Sequence, residues 1–204
     1  MSAYPIMLDG RGVSALVVGG GGVAVRKVRA LLDAGAKVHV IAPEIAPELH
    51  AWAVADAESL RLTRGSYAPD HLALATLVIA ATDNPSINAS VADDARAAGK
   101  LVNVADAPER SDFVTPAVHR VGEVVVAVVA GGVPSAAARI RDAIASSIDE
   151  RYGRAVDELS VLRRTLLDRG ERDAWRAASA KAIDAGFCAR VEAGTLGEEL
   201  DAWR

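Results

Sequence analysis

An open, doubly wound parallel α/β sheet is the fold class that this sequence predicts, and three observations predict it. Short apolar runs rich in β-branched residues recur along the first half of the chain, at 13–18, 37–42, 59–64, 74–81 and 101–105. Stretches with helical spacing separate most of them, as parallel strands require, because a parallel pair needs a crossover connection. Four consecutive glycines, Gly19 to Gly22, follow the first run directly.

The run 13–18 (VSALVV) reads as a buried parallel strand that ends in the glycines. Residues 23–34 follow as a helix, with Val25, Val28, Leu31 and Leu32 on one side and Gly35 as its stop. A second strand, Lys37 to Ala42, ends at Pro43. Residues 45–54 suit a short helix, 59–64 a third strand, 74–81 a fourth, 85–98 a helix and 101–105 a fifth strand. Short connections and right-handed crossovers leave few topologies for such a series.

Beyond Pro108 the pattern changes. Residues 113–119 and 123–129 read as consecutive strands, a small β extension or a dimerisation hairpin. Residues 136–151, 156–168 and 171–185 set Ala, Leu, Ile and Val against Arg, Asp and Glu at helical spacing, and 194–204 suits one more short helix. Trp175 and Trp203 there read as packing or subunit-interface anchors. The organisation expected is a nucleotide-binding domain at 1–112, a dimerisation and substrate region at 113–150, and a helical C-terminal domain at 151–204.

Composition narrows the function classes. With 204 residues, 51% hydrophobic and 25% charged, the chain can bury a sizeable core, and only 4% aromatics leave Val, Ala, Leu and Ile to build it. A net charge of −4 without a basic run argues against a nucleic-acid partner. One cysteine, Cys188, excludes an intrachain disulfide and a multi-cysteine metal site. The four histidines, His39, His50, His71 and His119, lack the i,i+4 spacing of a metal site, so none is expected. His119 alone has a functional reading, because it follows the 113–116 segment. The stretch Met1 to Gly12 holds no apolar run behind a basic segment, and no apolar run approaches the roughly 20 residues that span a bilayer. A cytoplasmic protein without a membrane partner is the expectation.

The glycines carry more. Gly19-Gly20-Gly21-Gly22-Val23-Ala24 is a Gly-x-Gly-x-x-Ala sequence placed between a strand and a helix. Gly19 suits the sharp turn, Gly21 the approach of a pyrophosphate to the backbone, and Ala24 close helix–strand packing. The helix N-terminus at Gly22 and Val23 offers free N–H groups to the phosphates. A flexible βα loop is the plain alternative, but the context favours dinucleotide binding and a Rossmann-like sheet. The acidic partner of the ribose is expected about 20 residues on, and Glu44, just past Pro43, stands there. No arginine occurs in this segment to neutralise a 2′-phosphate, which favours NAD over NADP.

Three segments narrow the reading further. Val18 to Lys27, then Ala80-Ala81-Thr82-Asp83-Asn84 with Asn88, then Asn103-Val104-Ala105-Asp106-Ala107-Pro108 followed by Phe113 and Pro116, stand in a characteristic order and spacing. Together they resemble the precorrin-2 dehydrogenase family, whose members often also act as sirohydrochlorin ferrochelatases in siroheme synthesis. The resemblance covers about residues 4–150, and the helical remainder matches in length and character only. It implies NAD-dependent oxidation of precorrin-2 to sirohydrochlorin, insertion of a ferrous or cobaltous ion in bifunctional members, and a homodimer. The 204 residues hold no methyltransferase module, so a separate enzyme is expected to supply precorrin-2.

The same resemblance gives the catalytic role to Asp106. It places Gly22, Val23, Pro43 and Glu44 at the dinucleotide and Thr82 and Asp83 facing it. Position supports Asp106 independently, since ligands of open α/β sheets bind outside the carboxyl ends of the strands, and a carboxylate there can accept a proton. Capping the turn before Pro108 is the alternative for Asp106, as ordinary turn chemistry is for Thr82 and Asp83. Precorrin-2 is polyanionic, so Arg110, Arg120, Arg139 and Arg141 are candidates for its carboxylates, or else solvated surface. Gly131, Gly132 and the helix start after them offer backbone N–H groups to a substrate carboxylate.

One departure is plain. Family members commonly carry hydroxyl residues before the glycine pair and Ser-Pro after it. Here Val129 and Ala130 replace the hydroxyls, and the order is Pro134-Ser135. A non-catalytic NAD-sensing protein, or a dehydrogenase of a related tetrapyrrole, is therefore the competing expectation.

Overall fold

A computed structural model describes residues 4–203. Residues 1–3, part of the stretch read for targeting signals, and residue 204, the end of the last expected helix, lie outside the described residues. The chain divides into two compact units, Met1–Val114 and Thr115–Arg204.

The first unit is built on five parallel strands, β1 (Ser14–Val18), β2 (Lys37–Ala42), β3 (Leu60–Arg64), β4 (Leu77–Ala80) and β5 (Leu101–Val104). Their order is β3-β2-β1-β4-β5, so the chain runs outward from β1 to β3 and then crosses back to β4. Helices α1 (Gly22–Asp33), α2 (Pro47–Ala55) and α3 (Pro85–Ala97) connect them. Alternate residues of β1 serve two cores. Ala15 and Val17 pack with Ala24 and Val28 of α1 and Leu49 of α2. Leu16 and Val18 pack with Val91, Ala92 and Ala95 of α3. Burial on both faces is why β1 and β4 read as unbroken apolar runs, whereas the edge strand β3, Leu-Arg-Leu-Thr-Arg, alternates. The doubly wound sheet is borne out, and its order reverses at β1 and β4, the switch point where such sheets bind ligands.

In the second unit β6 (Ala117–Val121) and β7 (Val124–Val128) form an antiparallel hairpin, followed by α4 (Pro134–Ala145), α5 (Glu150–Asp168), α6 (Arg172–Ala182), α7 (Phe187–Ala193) and α8 (Leu196–Asp201). Leu162 and Leu166 of α5 centre its core with Ala178, Val191 and Leu200, and Trp175 and Trp203 pack against it. The expected strand at 113–119 starts only at Ala117, because Phe113 packs into the core of the first unit. The expected helix at 136–151 is two helices. Asp149 ends the continuity by capping α5, its carboxylate accepting the Arg151 N–H and also pairing with the Arg151 guanidinium. Helix α7 was not expected; Gly194, at φ +73°, closes it in the left-handed conformation. No helix among the described residues is long and apolar enough to cross a membrane.

Candidate active site at the strand ends of the first unit

The four glycines between β1 and α1 do two different jobs. Gly19 takes φ +125°, and a Cβ there would lie 2.2 Å from the carbonyl oxygen of Ala81. A Cβ on Gly20 would lie 2.1 Å from the carbonyl oxygen of Glu44. Both glycines let the loops after β4 and β2 close against the turn; sequence reasoning gave Gly19 the sharp turn and missed the close approach at both positions. At Gly21 and Gly22, by contrast, a Cβ would meet nothing within 4 Å. Gly21 has φ −87°, which any residue adopts, and no side chain caps α1. The fold itself thus gives no steric reason for glycine at these two exposed positions. What they leave is bare backbone at a helix N-terminus, the arrangement a pyrophosphate needs. Val23 is exposed beside them, and Ala24 is fully buried against the sheet.

A cavity of about 340 Å³ opens over the strand ends, with Val18, Ile41, Pro43, Tyr67 and Thr82 among its walls. That is near the lower end of the roughly 300–1,000 Å³ range of small-molecule sites. The Tyr67 hydroxyl donates to Asp94 Oδ2 at 3.2 Å. Burial, then the Asp94 charge, pushes this phenol well above its usual range, so it stays a neutral donor. Pro43 and Glu44 are exposed at the end of β2. Arg64 of β3 pairs in register with Ala42, and its Nε donates to the Pro43 carbonyl at 3.1 Å. An arginine therefore does stand at this strand end, against the sequence expectation. It arrives from the neighbouring strand, which local reading cannot see.

Asp106 lies just beyond β5 and is exposed. Its Oδ1 accepts from Asn88 Nδ2 at 2.9 Å. The short 3₁₀ turn that follows, Pro108–Arg110, has Ala107 at its cap position, which offers no side-chain acceptor. Asn88 sits on α3 and is 1% exposed. Its Nδ2 also donates to the Thr82 carbonyl at 3.0 Å, while its Oδ1 accepts the Thr82 N–H at 3.0 Å and the Thr82 hydroxyl at 2.7 Å. Asn84 starts α3 by accepting the N–H groups of Ser86 and Ile87, which sets Thr82 and the exposed Asp83 just before the helix. Below Asp106, Asn103 Nδ2 donates to the Phe113 carbonyl and the Ser111 hydroxyl accepts the Val104 N–H, fastening the end of β5.

Gly19, Gly21, Gly22, Val23, Ala24, Pro43, Glu44, Thr82, Asp83 and Asp106 thus gather at the carboxyl ends of β1, β2, β4 and β5. Arg110 belongs to the same unit, with its guanidinium on Asp93 Oδ1 at 2.9 Å. Arg120, Gly131 and Gly132 belong to the second unit. Arg120 is exposed on β6, and Arg141 pairs with Asp142. Gly131 and Gly132 have φ of +53° and +82° in a turn closed by Val133 N–H on the Ala130 carbonyl, so the turn itself calls for glycine. His119 Nε2 lies 2.6 Å from the Ile148 carbonyl, which fastens the hairpin to the segment before α5.

A family profile described as "Putative NAD(P)-binding" matches residues 6–117, and the chain belongs to that NAD(P)-binding family. Siroheme synthase of Chromobacterium violaceum is 46% identical over 155 residues, covering 76% of this chain and 33% of that protein. Siroheme synthase of Nitrosococcus oceani is 44% identical over 155 residues, with the same coverage of 76% and 33%. The chain therefore spans about one third of the length of these curated relatives. A solved structure described as SirC, precorrin-2 dehydrogenase, matches with a TM-score of 0.79 and 27% identity, over 98% of this chain and 98% of that one. The resemblance carried by the three sequence segments is borne out by these matches.

Proposed function

We propose that the chain is an NAD-dependent dehydrogenase that oxidises precorrin-2 to sirohydrochlorin in siroheme synthesis. The observation that carries it is the placement of Asp106 at the end of β5, beside the switch point whose glycine turn leaves bare backbone at Gly21 and Gly22. The match to a precorrin-2 dehydrogenase over nearly the full chain supports the substrate.

The residues on hand fit the dinucleotide. Gly21, Gly22 and Val23 would hold a pyrophosphate through backbone N–H groups, Glu44 would accept from a ribose diol, and Pro43, Thr82 and Asp83 would border the dinucleotide. NAD supplies the two-electron acceptor when bound. Asp106 takes the proton that the substrate loses as a hydride leaves it, and returns that proton to water afterwards. Arg110, Arg120, Gly131 and Gly132 are the proposed contacts to the carboxylates of the macrocycle.

The same reading gives residues 1–112 the cofactor, 113–150 the substrate and dimer contacts, and 151–204 a helical domain. It includes a cytoplasmic homodimer, for which the exposed Val129, Val133 and Ile140 provide apolar surface. Insertion of a ferrous or cobaltous ion into the product is its separable second activity. The test is the visible absorbance change when the purified chain meets enzymatically generated precorrin-2 and NAD. Appearance of the sirohydrochlorin spectrum with matching NADH establishes the dehydrogenase. NAD binding without conversion favours the NAD-sensing alternative that Val129 and Ala130 motivate.

A further inference from the structure

We propose that Asn88 is a positioning residue, which fixes the proton acceptor Asp106 relative to the cofactor-side loop at Thr82. The inference rests on the reading of Asp106 as the acceptor. Three facts carry it. Asn88 is 1% exposed, and at 88, 91, 92 and 95 it shares the buried face of α3 with Val91, Ala92 and Ala95, where an apolar residue would ordinarily pack. A buried amide is retained when its hydrogen bonds are made, and here both ends are used. One end takes the N–H and hydroxyl of Thr82, and the other donates to the Thr82 carbonyl and to Asp106 Oδ1.

The orientation is therefore dictated. With Oδ1 held by two donors from Thr82, the NH₂ group must point toward Asp106, and a flipped amide would set its NH₂ against the Thr82 N–H. One amide thus bridges the loop after β4 and the loop after β5, on the β4 side of the switch point of the sheet. A dehydrogenation removes a hydride and a proton from one substrate, so hydride acceptor and proton acceptor must be held in mutual register. Misplacement by about 1 Å can cost a hundredfold in rate. Asn88 leaves Oδ2 of Asp106 outside the amide contact while tying Oδ1.

Asn88→Asp, studied at pH 9 so that the two carboxyls do not share a proton, is the informative variant, because a carboxylate still accepts the Thr82 N–H and hydroxyl but sets an acceptor where the donor to Asp106 stood. Asn88→Ser serves if the aspartate variant does not fold. The first measurement needs no substrate: crystal structures of the wild type and the variant, each with NAD. The inference expects one Asp106 rotamer in the wild type and a displaced or multiple one in the variant, with the Thr82 N–H still bonded to residue 88 in Asn88→Asp. An unchanged Asp106 rotamer overturns it. The second measurement is steady-state turnover. The variant should lower kcat by about ten- to a hundredfold with KM for NAD within about threefold, and the Asn88→Asp/Asp106→Asn double variant should be no slower than Asp106→Asn alone. Additive losses, or a parallel loss of NAD affinity, overturn it. If Asp106→Asn keeps full activity, the reading of Asp106 fails, and the rotamer comparison still decides whether Asn88 positions it.

Discussion

Arg64 Nε donates to the Pro43 carbonyl at 3.1 Å, so the end of β3 is tied to the residue immediately before Glu44. A cation and an anion consequently flank the place where a Rossmann-type site reads the ribose. Glu44 favours a free diol and repels a 2′-phosphate, whereas Arg64 would welcome one.

The first prediction concerns that balance. The wild type should bind NAD more tightly than NADP, and Glu44→Ala should narrow the preference by about tenfold, or about 1.4 kcal/mol. Arg64 then stands without the opposing carboxylate. Calorimetric titration with each dinucleotide measures this, and an unchanged ratio in the variant would remove Glu44 from the ribose site.

The second prediction separates adjacent glycines. Gly20→Ala drives a Cβ to 2.1 Å from the Glu44 carbonyl oxygen, a backbone atom that cannot swing away. Thermal or denaturant unfolding should register a loss of about 3 kcal/mol. Gly21→Ala meets no protein atom at ordinary φ, so its stability should stay within about 1 kcal/mol of wild type. Its NAD affinity should nevertheless fall by tenfold or more, because the methyl group occupies the space left for the pyrophosphate. Equal behaviour of the two variants in both assays would contradict the division of labour among the glycines.

The third prediction is a pH dependence of stability. Burial, then Arg61 and His71, lowers the pKa of His39 below its usual value. Its Nε2 bonds Thr63 Oγ1 at 2.8 Å, and its ring meets that of His71 edge-on at 6.1 Å, with Tyr67 beside His71. The folded state therefore keeps His39 neutral, while the unfolded chain takes up a proton below about pH 6.5. The His39 contribution should be full above about pH 6.5 and fall as the pH drops from there toward the lower folded-state value. Melting curves from pH 8 to pH 5 should be steeper for wild type than for His39→Gln. Parallel slopes would show that His39 is not responsible.

Much of this was legible in the sequence where one local rule suffices. The apolar runs located all five parallel strands, Gly19 announced the sharp turn, and Ala24 announced its packing against the sheet. The fourth strand was read too long because Leu74, 85% exposed, continues an apolar run although it lies outside the sheet. Asp149 is an N-cap signal that the surrounding helical spacing concealed. Arg64 and Asn88 required knowledge of neighbours distant in sequence. Asn88 did carry a signal of its own: a polar residue at the buried positions of an apolar helical stripe.

The most direct test of the central claim compares Asp106→Asn with wild type in a single turnover of precorrin-2 with NAD, alongside calorimetric NAD binding. The account predicts that the variant binds NAD within about threefold of wild type and forms sirohydrochlorin at least a hundredfold more slowly. Wild-type rates in Asp106→Asn, with NAD bound normally, would contradict it and place the proton acceptor elsewhere.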